Sequence, residues 1–261
     1  MTTTTLQKSK TIPIINSKVW LTILILLSYL LPMFFLWSST TEIWLKVLLS
    51  PVFLVLLVLI IWLAVIVFAG FLPQLDKSVG IRTDRTIRNS DGNYEATFLT
   101  TGRESNGTQE LIRVEVAPKG GNEWHYHTSF YEKFTVLTGQ LTIGLNGEKR
   151  QLSVGETATV LPGNLHYFFN ETETPLTILV ETAPASGLEK SVRVAYGLAN
   201  TGQWEKGALF PYNPWHLILL LGYSETYLPH LPGFIQEPLV NALARIAQWK
   251  GEDRALETFF K

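Results

Sequence analysis

The sequence predicts a chain in two parts, a membrane-embedded helical segment followed by an all-β sandwich or barrel. Charge is the first sign of it: residues 19–72 hold only Glu42 and Lys46, whereas residues 73–261 hold 38 charges in 189 positions, about a fifth, close to a globular fraction. Two long charge-free runs fill the depleted part. From Tyr94 onward the pattern changes to short stretches alternating with period two between closely spaced turn residues.

The first run, Val19 to Trp37, and the second, Val47 to Leu72, each reach the roughly 17 to 25 residues that a helix needs to cross the hydrocarbon of a bilayer. Two transmembrane helices are therefore expected, at 19–37 and 43–72, with 1–18 as an N-terminal tail. Trp20, Trp37 and Trp44 fall near the ends of the runs, at the depth that amphipathic rings prefer. A cleaved signal peptide is the alternative for the first run. Its 19 apolar residues exceed the usual core of ~7 to 15, and no small-x-small site follows Trp37. Lys8, Lys10 and Lys18 precede the first run, and Lys77, Arg82, Arg85 and Arg88 follow the second, so the positive flanks predict an integral two-pass protein with both ends cytoplasmic. No ionisable residue lies inside either run, which favours an anchor over a channel or transporter.

In the second part, Glu95–Leu99, Leu111–Ala117, Glu132–Leu137, Gln140–Leu145, Glu148–Leu152, Thr157–Leu161, His166–Phe169 and Leu176–Thr182 read as strands. Asn146-Gly147 marks a two-residue hairpin, because both positions tolerate positive φ. No helical crossover separates the strands, which excludes a parallel α/β sheet. A net charge of −1 argues against nucleic acid as a partner, and zero cysteines exclude disulfides, thiolate metal sites and cysteine nucleophiles.

The chemistry-bearing residues cluster. His125 and His127 are two apart on an expected strand and so share a face, as do Glu132 and Phe134 on the next, and His166 opens a later one. Three imidazoles and one carboxylate suit a single divalent Fe, Mn, Ni, Cu or Zn ion, and such a set leaves coordination positions open.

Gly120 to Gly139 reads G-x4-H-x-H-x4-E-x6-G, and Gly155 to Asn170 reads G-x7-G-x2-H-x3-N. These two stretches resemble the first and second motifs of the cupin superfamily. The first has one residue fewer than usual between its opening glycine and histidine, and Pro162 comes one place later than usual. The resemblance covers about residues 91–198. It implies a jelly-roll (double-stranded β-helix) cupin barrel with His125, His127, Glu132 and His166 as metal ligands, and barrels that pair as a homodimer. By analogy with cupin dioxygenases it also implies metal-dependent oxidation of a small organic molecule, with Glu132 doubling as a catalytic base. A non-catalytic metal- or metabolite-binding sensory module is the competing expectation. Phe134, Val136, Phe168, Tyr126 and Phe130 compete for places around the ion, a lining suited to a hydrophobic ligand. No basic cluster accompanies the motifs, which weakens an isomerase acting on phosphorylated sugars.

Residues 199–261 are expected to form a C-terminal tail. Leu217–Leu221 is too short to span a membrane. From Pro238, the residues Leu239, Leu243, Ile246 and Trp249 follow helical spacing, as in a helix packed on the barrel or a partner subunit, or lying on the membrane surface. His216 and His230 have no carboxylate at ligand spacing and read as structural. Asn106-Gly107-Thr108 and Asn170-Glu171-Thr172 match the glycosylation sequon, which a cytoplasmic domain would not use.

Overall fold

The computed structural model describes residues 29–39, 42–89, 94–204 and 210–261. The chain divides into two compact units, Met1–Ala64 and Val65–Lys261. Residues 1–18 and the opening of the first apolar run, 19–28, lie outside the described residues.

In the first unit, the described part of that run lies in the helix α1 (Tyr29–Ser38), nine of whose ten residues belong to the expected span. The helix α2 (Ile43–Gly70), whose last six residues belong to the second unit, has 28 residues, about 42 Å at 1.5 Å per residue. Its stretch Leu45–Gly70 is the one helix among the described residues long and apolar enough to cross a membrane. Leu54, Val58 and Leu63 are all about half exposed, so apolar surface faces outward. Pro51 sits inside α2, where it removes one backbone donor without ending the helix. Lys46 donates from Nζ to Trp37 O at 3.0 Å and Ser39 O at 2.9 Å, capping carbonyls at the end of α1.

The second unit is built on two antiparallel sheets. The first contains β1 (Thr86–Asn89), β2 (Tyr94–Thr100), β3 (Glu110–Val116), β4 (Tyr131–Thr138), β7 (Thr157–Val160) and β9 (Leu176–Ala183), in the order β1-β2-β3-β9-β4-β7. The second has β5 (Leu141–Leu145), β6 (Glu148–Leu152) and β8 (His166–Phe169), in the order β6-β5-β8. Inward residues at every second position close one core, with Phe134, Val136, Leu141, Ile143, Ile178 and Val180 all buried. Asn146 and Gly147 both take positive φ (49° and 90°) in the β5–β6 hairpin, as expected. The strand β1 was not expected, since Ile87 is its one apolar residue, packed beside Ala96, Phe98 and Ile112.

The segment carrying His125 and His127 is not a regular strand. It is held by isolated bridges, His125 to His166 on one side and Tyr126 to Tyr227 on the other. Flanking glycines explain the close approach: a Cβ on Gly121 would lie 2.4 Å from Phe168 O, and one on Gly144 would lie 2.0 Å from the Tyr167 ring.

The tail holds more helix than its sequence suggested. The helix α3 (Leu188–Asn200) runs across the boundary expected at 198, and its Leu188, Val192 and Tyr196 cover Ala96, Phe98 and Ile112 of the larger sheet. The helix α4 (Pro214–Ser224) contains Leu217–Leu221; Asn213 caps it through its Oδ1, and Leu219 and Leu220 enter a second core with Val194, Leu198, Leu256 and Phe260. The helix α5 (Gly233–Trp249) begins five residues before the expected start at Pro238 and packs against α4. Its buried face is Gln236, Val240, Ala242, Ala244 and Ala247, whereas Leu239, Leu243 and Ile246 of the anticipated stripe are half-buried and Trp249 is 61% exposed. The two helices approach closely through small residues, since a Cβ on Gly222 of α4 would come 2.6 Å from the Cβ of Ala244. A 3-10 turn (Glu252–Leu256) and the short α6 (Glu257–Phe260) end the chain.

Candidate metal centre

The alternation along β4 turns Glu132, Phe134 and Val136 inward, and register sets Glu132 opposite Val160 of β7 and Thr182 of β9. His166 opens β8 opposite Leu145 and is fully buried. Reciprocal backbone bonds, His125 N to His166 O at 2.9 Å and His166 N to His125 O at 2.8 Å, set His125 beside it. The turn at Pro162-Gly163, with Gly163 at φ 81°, also ties the two motifs together, because Gly163 N donates to His127 O at 2.6 Å.

The four anticipated residues meet. One ligand atom from each of His125, His127, Glu132 and His166 lies within 4.8 Å of the other three. Glu132 Oε2 stands 2.7 Å from His166 Nε2 and 3.6 Å from His127 Nε2. Each Nδ1 faces a main-chain carbonyl: Glu123 O for His125 at 2.7 Å, Ser224 O for His127 at 2.9 Å and Asn164 O for His166 at 3.2 Å. A carbonyl can only accept, so each Nδ1 is held as a donor, which leaves Nε2 as the nitrogen that can turn to an ion. Around an ion at ~2.1 Å from each donor, neighbouring donors lie roughly 3 Å apart and opposite ones about 4.2 Å. The observed spread needs only a slight contraction, so the donor set fits one divalent ion.

Electrostatics point the same way. Burial drives His125 down to about 3, with His166 and His127 adding to the shift, so its ring stays neutral. Burial alone would raise Glu132, but the attraction and hydrogen bonds of His127 and His166 outweigh it and hold the carboxyl well below its ordinary value. A neutral imidazole and an ionised carboxylate are the forms that ligate.

Phe130 packs on His127 with ring centroids 4.4 Å apart, and Phe134 lies 6.2 Å from His166. Tyr126 points the other way, stacking near Tyr227 and donating to Glu237 Oε1 at 3.0 Å, so it does not line the cluster. His216 is buried and His230 exposed, and neither joins the group. Asn170, fully buried, uses its side chain inside the fold rather than as a modification site. The residue that sequence reasoning missed is Ser224, which acts through its backbone and so leaves no side-chain signature.

A sequence profile described as the cupin domain matches residues 112–181. An uncharacterized protein of Aquifex aeolicus (strain VF5) is 32% identical over 89 residues, 34% of this chain and 73% of its own length. The chain carries a cupin domain. Among solved cupin-like structures, KdgF from Halomonas sp. is 16% identical with a TM-score of 0.35, covering 41% of this chain and 92% of its own. A predicted oxalate decarboxylase from Thermotoga maritima is 19% identical with a TM-score of 0.35, covering 43% of this chain and 97% of its own. The cupin domain thus carries a His/His/Glu/His group compatible with a metal ion.

Proposed function

We propose that this cupin is a membrane-anchored metalloprotein that oxidises a small organic molecule with dioxygen at one divalent ion held by His125, His127, Glu132 and His166. The observation that carries the reading is the convergence of one ligand atom from each of three imidazoles and one carboxylate, each imidazole fixed through its Nδ1 by a main-chain carbonyl. When bound, such an ion supplies a Lewis acid and, if redox-active, an electron donor beside the substrate. The protein supplies the rest. His125 is the least buried of the four, so a substrate reaches the centre on its side. Phe130 and Phe134 keep water from the opposite side, which favours a substrate with an apolar or aromatic body. Glu132 would hold the ion through one carboxylate oxygen, leaving the other to accept a substrate proton.

The anchor in this reading is the pair of apolar runs, with α2 as the described span and both termini on the cytoplasmic side. The cupin domain occupies about 91–198 and pairs as a homodimer. A non-catalytic sensory role for the same centre is favoured by one observation: no further acid or base joins the four-residue group among the described residues. Elemental analysis of the detergent-purified full chain, followed by oxygen uptake over phenolic and thiol compounds, separates the readings. Metal with uptake supports oxidation, and metal without uptake on any compound supports the sensory role.

A further inference from the structure

We infer that Glu225 is a positioning residue for the metal centre, holding His127 from outside the barrel and joining it to the segment that follows α2. This rests on the metal-binding reading above. His125 and His166 anchor their Nδ1 atoms to carbonyls two residues back in their own loops, Glu123 and Asn164. His127 alone depends on a distant element, the carbonyl of Ser224 at the end of α4, 97 residues on.

What aims that carbonyl is the next residue. Glu225 terminates α4 at φ 47° and ψ 45°, a left-handed conformation usually given to glycine at a helix end. Its side chain spans two elements: one oxygen pairs with Lys77 Nζ, and the other accepts from Thr128 Oγ1 at 2.9 Å. Thr128 adjoins His127, and Lys77 lies seven residues past the end of α2. Reciprocal bonds between Tyr126 and Tyr227, at 3.1 and 3.0 Å, close the clasp on its other side. The segment carrying Lys77 is itself fixed to the helical tail, since Arg245 bonds the carbonyls of Leu72 and Pro73 and Asp76 N donates to Gln248 Oε1 at 3.1 Å. Groups that orient a ligating imidazole typically change metal affinity 10- to 100-fold when removed. A carboxylate that holds such a group in place belongs to the same set.

The test uses the full chain in detergent, with Co(II) as the probe. Glu225→Gly removes the side chain while suiting the left-handed backbone, so the metal-free protein should keep wild-type thermal stability within ~2 °C. Its Co(II) affinity, measured by chelator competition, should fall roughly 10-fold or more, with a changed visible spectrum. Lys77→Met should lower affinity in the same direction by a smaller factor, and Glu171→Gln, which breaks a surface pair with Lys149, should not. Wild-type affinity and spectrum in both Glu225→Gly and Lys77→Met would overturn the inference while leaving the metal site standing. A wild-type chain that takes up no Co(II) would overturn the metal-binding reading itself.

Discussion

Replacing Asn170 by alanine should destabilise the protein by about 3 kcal/mol while sparing its metal site. Asn170 is fully buried, and its Nδ2 donates to Val116 O and Ala117 O at 3.1 Å and to Thr174 O at 2.8 Å. Its Oδ1 accepts from Thr172 N at 3.0 Å and Thr172 Oγ1 at 2.7 Å. An amide has two hydrogens, so three acceptors amount to two full donations, and with two acceptances the side chain makes about four bonds. At ~1 kcal/mol net each the sum is about 4 kcal/mol, lowered to roughly 3 because half-buried Thr172 can turn to water. For a unit of this size each kcal/mol moves the melting temperature by ~2 to 4 °C, so a fall of about 6 to 12 °C is expected by tryptophan fluorescence in detergent. The backbone bonds that pin the metal loop, Asn170 N to Gly120 O at 2.7 Å and Lys119 N to Asn170 O at 2.9 Å, survive the change. Metal affinity at low temperature should therefore stay within a few-fold of wild type. A melting point within ~1 °C of wild type would refute this account of Asn170.

Two further outcomes follow from buried groups. Burial pushes Glu110 up to about 7, the charge of Glu189 adding to it and hydrogen bonds from the main chain of α3 and from Thr182 opposing it. Because the folded value lies above the unfolded one, its stabilising contribution is complete below about pH 4.5 and is lost as pH rises through 7. The wild type should thus lose up to ~3 kcal/mol more than Glu110→Gln between pH 5 and 8, read as the divergence of their melting temperatures. Parallel curves would remove Glu110 as the cause. Gly144→Ala drives a methyl against the rings of Tyr167 and Trp124 and should cost ~1 to 3 kcal/mol, checked by urea denaturation, where an unchanged midpoint would show that the sheet yields freely.

The β core was legible because one face of each strand is buried and the other wet. Along β9, Leu176, Ile178, Val180 and Thr182 alternate inward, and along β4 the same rule carries Glu132 to the metal cluster beside Phe134. The strand proposed around His125 and His127 failed in form, yet the two rings still meet, since isolated bridges to β8 and Tyr227 preserve the alternation. The helical tail was harder to read for physical reasons. On α3 the buried set includes Glu189, Lys190 and Arg193, made tolerable by a Glu189–Arg193 bond of 2.9 Å and by Lys190 lying over the rings of Phe260 and Tyr223. On α5 the inward face is largely alanine, which a search for large apolar residues overlooks. The carbonyl of Ser224 has no residue-type signature at all, so its hold on His127 appears only once α4 is in place.

The central claim is tested most directly by elemental analysis of the purified full chain beside the His125→Ala, His127→Ala double variant. The account predicts about one divalent ion per wild-type chain and close to none in the double variant, whose metal-free fold should persist because the two rings are replaced without disturbing the backbone bridges. Equal metal content in the two proteins would contradict it, and so would a wild-type chain that stays metal-free after incubation with Fe(II), Mn(II), Ni(II), Cu(II) and Zn(II) in turn.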